Sequence, residues 1–292
     1  RLRTFLELVR LPNLFTAPPD VIAGACAAGA ILDGMPAARW LPAGALCLAS
    51  MHLYAGGVAL NDVMDAERDE ADRKDRPIPS QRISREAALR VSILLLTAGA
   101  VLALAVSARA GLVALGLIGA MIAYNMLKAW WFAPVVMGLC RALNMGLGMV
   151  LGSRDAGVEL LWPAVCLGLY VTGVTIFARR ETRAGVHWTR IVGLSVVFAA
   201  LLAYLQVGLR FSPQASWLSA ALVGIWSFTC GLGLFAVRGR PARVQQAVVV
   251  FILGIVLLDA WLVAMLAGLA TGAIALAFAI PFMLLAREFR PT

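Results

Sequence analysis

Asn61, Asp65 and Asp69 stand four residues apart in the stretch "NDVMDAERDEADRKDRPIPS", residues 61–80. On a helix that spacing advances only about 40° past a full turn per step, so the three side chains form one stripe. Stacked carboxylates repel one another by about 0.2–0.5 kcal/mol per pair, which calls for a compensating cation. Hard oxygen donors on one face suit Mg2+, which takes one or two carboxylates and completes its shell with substrate phosphates and water. The same residues also fit a solvated loop whose acids pair with Arg68, Arg73, Lys74 and Arg76. Eight of the sixteen acidic residues fall between Asn61 and Arg90, among seven Lys or Arg.

The segment that follows is stiff. Arg76-Pro77-Ile78-Pro79-Ser80 forbids helix, because each proline fixes its own φ and restricts the residue before it. Ser84 is then placed to cap the next helix, with Glu86 in its first turn. A rigid return of this kind holds the acidic helix end over the mouth of a bundle.

The elements that position this stripe are membrane spans. Of 292 residues, 61% are hydrophobic and 14% charged, with a mean hydropathy of +0.86, whereas soluble domains carry roughly 25% charged residues. The chain is therefore all-α and polytopic. Runs of about 20 apolar residues fall near 14–32, 41–60, 88–107, 111–127, 132–151, 160–177, 190–208, 215–236, 244–263 and 268–286. They make ten spans, or nine if Gly268 and Gly272 do not divide the last run. With the N-terminus in the cytoplasm, 20 Lys or Arg lie inside and four outside (Arg39, Arg109, Arg154 and Arg210), while Arg141 lies within the fifth span. That bias places the acidic stretch and "ARRETR" on the cytoplasmic side of an inner (plasma) membrane. The net charge of +9 sits in short gaps between apolar runs, so it is a topology signal and not a nucleic-acid surface. Five cysteines without a C-x-x-C pair are read as small apolar residues. The chain opens on Arg1, so a few preceding residues are expected, and the first apolar run serves as the insertion signal.

"NDVMDAERD" followed by "RPIPS" after the second span resembles the first aspartate-rich motif, N-x-x-x-D-x-x-x-D, of the UbiA superfamily of intramembrane prenyltransferases. Tyr124 and Lys128 in "YNMLK", and Arg141 and Asn144 in "CRALNMGLG", are similar to further family signals, so the resemblance covers most of the chain. It implies one integral-membrane domain over 1–292, a cytoplasmic loop 61–87 with the first motif, and a loop 178–189 at the place of a second. It implies Mg2+-dependent transfer of a prenyl group from a polyprenyl diphosphate to a small acceptor, a phenol ring or a hydroxyl compound. Asp65, Asp69 and Lys128 are then catalytic, with Asn61, Asp65 and Asp69 on the metal. Arg76, Lys128, Arg141, Arg179 and Arg180 face the diphosphate, while Asn13, Asp20, Tyr124, Asn144 and Glu181 line the acceptor cavity. The sequence is also similar to a divergent branch of the superfamily found in bacterial ebo-type clusters.

The second motif of the family, D-x-x-x-D after the sixth span, is not matched. The chain reads "YVTGVTIFARRETRAG", with Ala178 and Thr182 at the aspartate positions and Glu181 among Arg179, Arg180 and Arg183. Those arginines either bind diphosphate oxygens in place of a metal or anchor the loop as positive-inside residues. A non-catalytic isoprenoid-binding or transport protein on the same fold is the alternative, although no inverted repeat supports a transporter. Arg141 is the one cation well inside a span, a costly position that points into the bundle. Asp20 and Asp259 are each expected to bond neighbouring helices, and His52 and His187 have no metal-ligand spacing.

Overall fold

The computed structural model describes residues 2–31, 40–152, 158–179, 188–211 and 241–289, with isolated positions between these stretches. Every regular element among the described residues is helical. In chain order they are α1 (Leu2–Leu8), α2 (Leu11–Leu14), α3 (Ala17–Ala27), α4 (Trp40–Met64), α5 (Ala66–Asp72), α6 (Arg85–Val106), α7 (Ala108–Leu127), α8 (Ala133–Met149), α9 (Trp162–Ala178), α10 (Trp188–Phe211), α11 (Pro241–Ala277) and α12 (Ala279–Leu285). Six of these segments are long and apolar enough to cross a membrane, and α8 is a shorter apolar helix. Large apolar side chains on α6 and α7, among them Leu94 and Leu112, stand exposed, as a lipid-facing surface requires.

The expected first span, 14–32, is shorter as a helix and begins at Ala17. α2 ends at Leu14 and α3 starts at Ala17, with Pro18 and Pro19 in the first turn, where a missing N–H costs nothing. The last expected pair of spans is divided where the sequence placed the division: Ala267 and Gly268 leave helical geometry, and Gly268 takes φ 82°, a value glycine adopts without strain. The expected span 215–236 lies outside the described residues apart from isolated positions.

α3 contacts α4, α8 and α11, and α8 also contacts α7 and α9. One apolar core joins α3, α8, α9, α10 and α11, and a second joins α3, α4, α6, α7 and α8. α3 and α8 are thus the shared wall. They approach closely because Gly24 faces Met145 and Gly148 faces Val21 and Ala25, leaving no room for a side chain at either glycine. Ser84 caps α6 by accepting from Ala87 N at 3.2 Å, as its place in the sequence anticipates. Ser107 caps α7 in the same way, accepting from Ala110 N.

Candidate active site

The acidic stripe forms at the end of α4. Helical hydrogen bonding continues through Asp65, whose N–H bonds Asn61 O at 2.9 Å and whose carbonyl accepts from Asp69 N at 2.8 Å. Asn61, Asp65 and Asp69 therefore keep their common face through the junction of α4 and α5.

Three cations meet this face. Lys128, at the end of α7, places Nζ 2.6 Å from Asp65 Oδ1. Arg76, in the turn before Pro77, places Nη1 2.5 Å from Asp69 Oδ2 and 3.1 Å from Asp62 Oδ1. Arg10, between α1 and α2, donates to Asp62 Oδ1 at 3.1 Å from a left-handed backbone, φ 47° and ψ 61°. Such a conformation costs a non-glycine residue about 1 kcal/mol or more and is held only where surrounding contacts enforce it. Asp62 and Asp69 are buried, whereas Asp65 is partly exposed. Burial pushes the Asp69 carboxyl up from its ordinary range, with Arg76 pulling the other way.

The sequence reading missed Asp62 and Arg10. Asp62 lies seven residues before Asp69, two full turns, so the spacing that groups Asn61, Asp65 and Asp69 also groups Asp62 with Asp69. Arg10 carried no sequence signal beyond its positive charge.

Tyr124 lies within electrostatic reach of Asp65, Arg10 and Arg179, and one turn of α7 separates it from Lys128. Asn125 is buried; it donates to Met121 O at 2.9 Å and accepts from Lys128 at 3.5 Å. The rim of the bundle thus brings Asn61, Asp65, Asp69, Arg76, Tyr124 and Lys128 together.

Arg179 approaches the same place differently. Its guanidinium donates to the carbonyls of Lys128 (3.3 Å), Trp131 (3.5 Å) and Trp130. It caps the open carbonyls at the end of α7 and so fixes the backbone that carries Lys128. Arg180 and Glu181 lie outside the described residues.

Arg141, Asn144 and Asp20 form a separate group deeper in the bundle. Arg141 donates to Thr16 O and lies 2.8 Å from Asp20 Oδ2. Asn144 donates to Asp20 Oδ2 at 2.7 Å and to Ala17 O at 3.0 Å, and accepts from Ser50 at 2.5 Å. Ser50 precedes Asn61 on α4 by eleven residues, about 16 Å at the helical rise of 1.5 Å per residue. Arg141 therefore neutralises Asp20 and does not contact the rim acids. Asn13 is buried on α2, between Arg10 of the rim and Thr16 of the deeper group, and its carbonyl accepts from Thr16 Oγ1 at 2.7 Å.

A helical membrane bundle with an acidic rim held by basic residues is the class that the fold and site define. The family model for the UbiA prenyltransferase family matches residues 22–239, and the chain belongs to that family. It is 40% identical over 111 residues to the digeranylgeranylglyceryl phosphate synthase of Ignicoccus hospitalis, covering 38% of this chain and 34% of that one. The synthase of Methanosarcina barkeri is 31% identical over 158 residues, covering 52% of each chain. The chain thus spans from a third to about half the length of these relatives. Among solved structures, a UbiA homologue from Archaeoglobus fulgidus aligns with a TM-score of 0.66 at 14% identity, over 94% of this chain and 99% of that one. The same homologue bound to GPP and Mg2+ aligns at 0.64, with 13% identity over the same shares of the two chains. These likenesses establish the fold.

Proposed function

We propose that the protein is an intramembrane prenyltransferase. It joins the prenyl group of an allylic diphosphate to a hydroxyl-bearing acceptor at the rim formed by α4, α5 and α7. That rim faces the cytoplasm and the chain sits in the plasma membrane, in line with the distribution of Lys and Arg. The observation that carries this reading is the rim cluster itself: three carboxylates, Asp62, Asp65 and Asp69, balanced by Arg10, Arg76 and Lys128.

Mg2+ fits these residues. Among the described residues no three acidic, His or Cys side chains converge as a metal cage, but Asp65 and Asp69 share one stripe with Asn61. That suits an ion whose remaining ligands are diphosphate oxygens and water. When bound, the metal neutralises charge on the departing diphosphate. Lys128 and Arg76 exchange carboxylate for phosphate oxygens as substrate enters, and Arg179 keeps Lys128 in place. Arg180, next to it in sequence, is a further proposed diphosphate contact on the strength of its guanidinium alone. The bond between C1 and the diphosphate oxygen breaks, the acceptor oxygen closes a new bond to C1, and its proton passes to the departing diphosphate. Confinement within the bundle delays capture by water. Tyr124 and Asn13 line the acceptor side of the rim.

The relatives' name points to a glyceryl phosphate as acceptor and a geranylgeranyl group as donor. The test incubates purified protein with geranylgeranyl diphosphate and Mg2+, with and without a glyceryl phosphate or a phenolic acid. Diphosphate release with transfer to one acceptor supports the proposal. Binding without release under all conditions establishes a non-catalytic isoprenoid-binding protein instead.

A further inference from the structure

At the level of Arg141, five helices converge on a polar group sealed inside the bundle. Asp20 lies on α3, Ser50 on α4, Arg141 and Asn144 on α8, Tyr204 on α10 and Asp259 on α11. Asp20 and Asp259 are both 0% exposed. Their carboxyl groups lie within hydrogen-bonding reach of each other. Asp20 Oδ2 is occupied by Arg141 and Asn144, and Asp259 Oδ1 by Tyr204 at 3.4 Å. The other oxygen of each, Asp20 Oδ1 and Asp259 Oδ2, has no hydrogen-bond partner among the described residues.

Two ionised carboxylates beside one guanidinium leave a net charge of −1 in the apolar interior, and buried charge of that kind is neutralised and not tolerated. Among the described residues the remaining titratable neighbours supply no cation: Tyr204 faces Asp259 and Asp20, Cys47 faces Asp20, and Cys166 faces Tyr204. Among the described residues the group is one positive charge short, and two acceptor oxygens without a donor there mark its place.

We propose that Asp20 Oδ1 and Asp259 Oδ2 hold a single monovalent cation, a proton shared between the two carboxyl groups, which ties α3 to α11 across the middle of the bundle. Asp20 sits in the first turn of α3, so the shared proton pins the start of this half-helix. With it are pinned the carbonyls of Thr16 and Ala17 that receive Arg141 and Asn144. The site stands whether or not the rim transfers a prenyl group. Sodium is the other monovalent ion that the same oxygens accept, and the experiment separates the two.

Infrared spectra of the full-length protein in detergent, unlabelled and labelled with carboxyl-13C aspartate, report the proton directly. At neutral pH the wild type shows a protonated-acid C=O band that shifts with the label. The band is lost in Asp259→Asn and in Asp20→Asn, because each leaves one carboxylate to balance Arg141. The amide in Asp259→Asn reproduces the missing donor, so this variant melts within a few degrees of wild type. Asp20→Asn melts lower because Arg141 loses its partner at 2.8 Å, and the double variant lowest because Arg141 is then uncompensated. A wild type without a labelled acid band overturns the proposal even if neither variant accumulates. So does a band that survives both substitutions, or an Asp259→Asn protein as unstable as Asp20→Asn. A wild type that lacks the band and melts higher in sodium than in potassium assigns the site to sodium and overturns the proton.

Discussion

The polar groups at the rim and at mid-bundle are built from the same residue types but balance their charge differently. At the rim, three carboxylates meet three cations, and Arg10, Arg76 and Lys128 keep between 14% and 21% of their side-chain surface exposed. At mid-bundle, two carboxylates meet one guanidinium with no exposure at either acid. Partners at a wet rim exchange at low cost, so an incoming diphosphate can take cations from carboxylates and leave those carboxylates to a metal. Partners in a dry interior exchange at the cost of an unpaired charge. The first arrangement suits binding and release, and the second suits fixing helices.

Substitution at the rim stripe is the strongest way to break this distinction. Asp65→Ala or Asp69→Ala is expected to lower Mg2+-dependent turnover by about 10²–10³-fold or more, the scale for losing one preorganised charge-stabilising group. Membrane expression remains near that of the wild type because Asp65 is partly exposed and Arg76 keeps Asp62 as a partner when Asp69 is removed. An active double variant, measured by diphosphate release, would remove the stripe from the chemistry. Asp62→Ala is different, since it strands Arg10 and leaves Arg76 with Asp69 alone. A stability loss of about 3 kcal/mol follows if Arg10 and Asp62 behave as a buried pair, read as a fall in melting temperature beside lost activity. An unchanged melting temperature would show that Arg10 finds water.

Arg179 sharpens the comparison, because it serves the rim without touching the acids. Arg179→Gln frees the backbone at Lys128, and displacing a charged group by 1 Å costs up to about 10²-fold in rate. The loss should fall on turnover more than on melting temperature. Arg179→Lys recovers only part of it, since one ammonium cannot reach the carbonyls that the planar fork spans. Full rescue by Lys would mean that charge alone matters there.

How much of this was readable in advance depended on whether a signal was local. The stripe, the Ser84 cap and the division at Gly268 follow from spacing and backbone preference within one segment, and all three stand in the structure. The pairing of Arg141 with Asp20 joins positions 121 residues apart, and that of Asp20 with Asp259 joins positions still further apart. No periodicity in one segment encodes such a contact. The resemblance turns Arg141 toward the diphosphate, and its cost in the membrane is equally met by the buried Asp20. The later start of the first span was legible in principle, since Pro18 and Pro19 mark a helix start, but their apolar surroundings disguised it.

Acid pH probes the rim more gently. Burial raises the Asp69 carboxyl, so its ionised form is the costlier one in the fold. As pH falls through that raised value, protonation relieves the fold but removes a proposed metal ligand. Activity should therefore fall on the acid side at a higher pH than an ordinary aspartate gives, with no parallel loss of melting temperature. If melting and activity fall together, global unfolding and not Asp69 sets the acid limb.

The smallest effect belongs to the tie between α1 and the rigid return. Arg82 pairs with Glu7, and Arg3 bonds the same side chain at 3.1 Å. Burial opposes ionisation of Glu7, but these two arginines outweigh it and hold its carboxyl below the usual range. A carboxyl lowered in the fold contributes stability that is present above its unfolded value and lost as pH falls through the folded one. Arg82→Ala should thus reduce stability at neutral pH and shrink this acid-side loss. Both side chains keep appreciable exposure, 38% for Arg82 and 23% for Glu7, so the effect should stay within about 1 kcal/mol and weaken as salt is raised. Because α1 leads directly into Arg10, a loss of turnover in Arg82→Ala much larger than its loss of stability would show that the return positions Arg10. Equal small losses would confine Arg82 to holding the surface together.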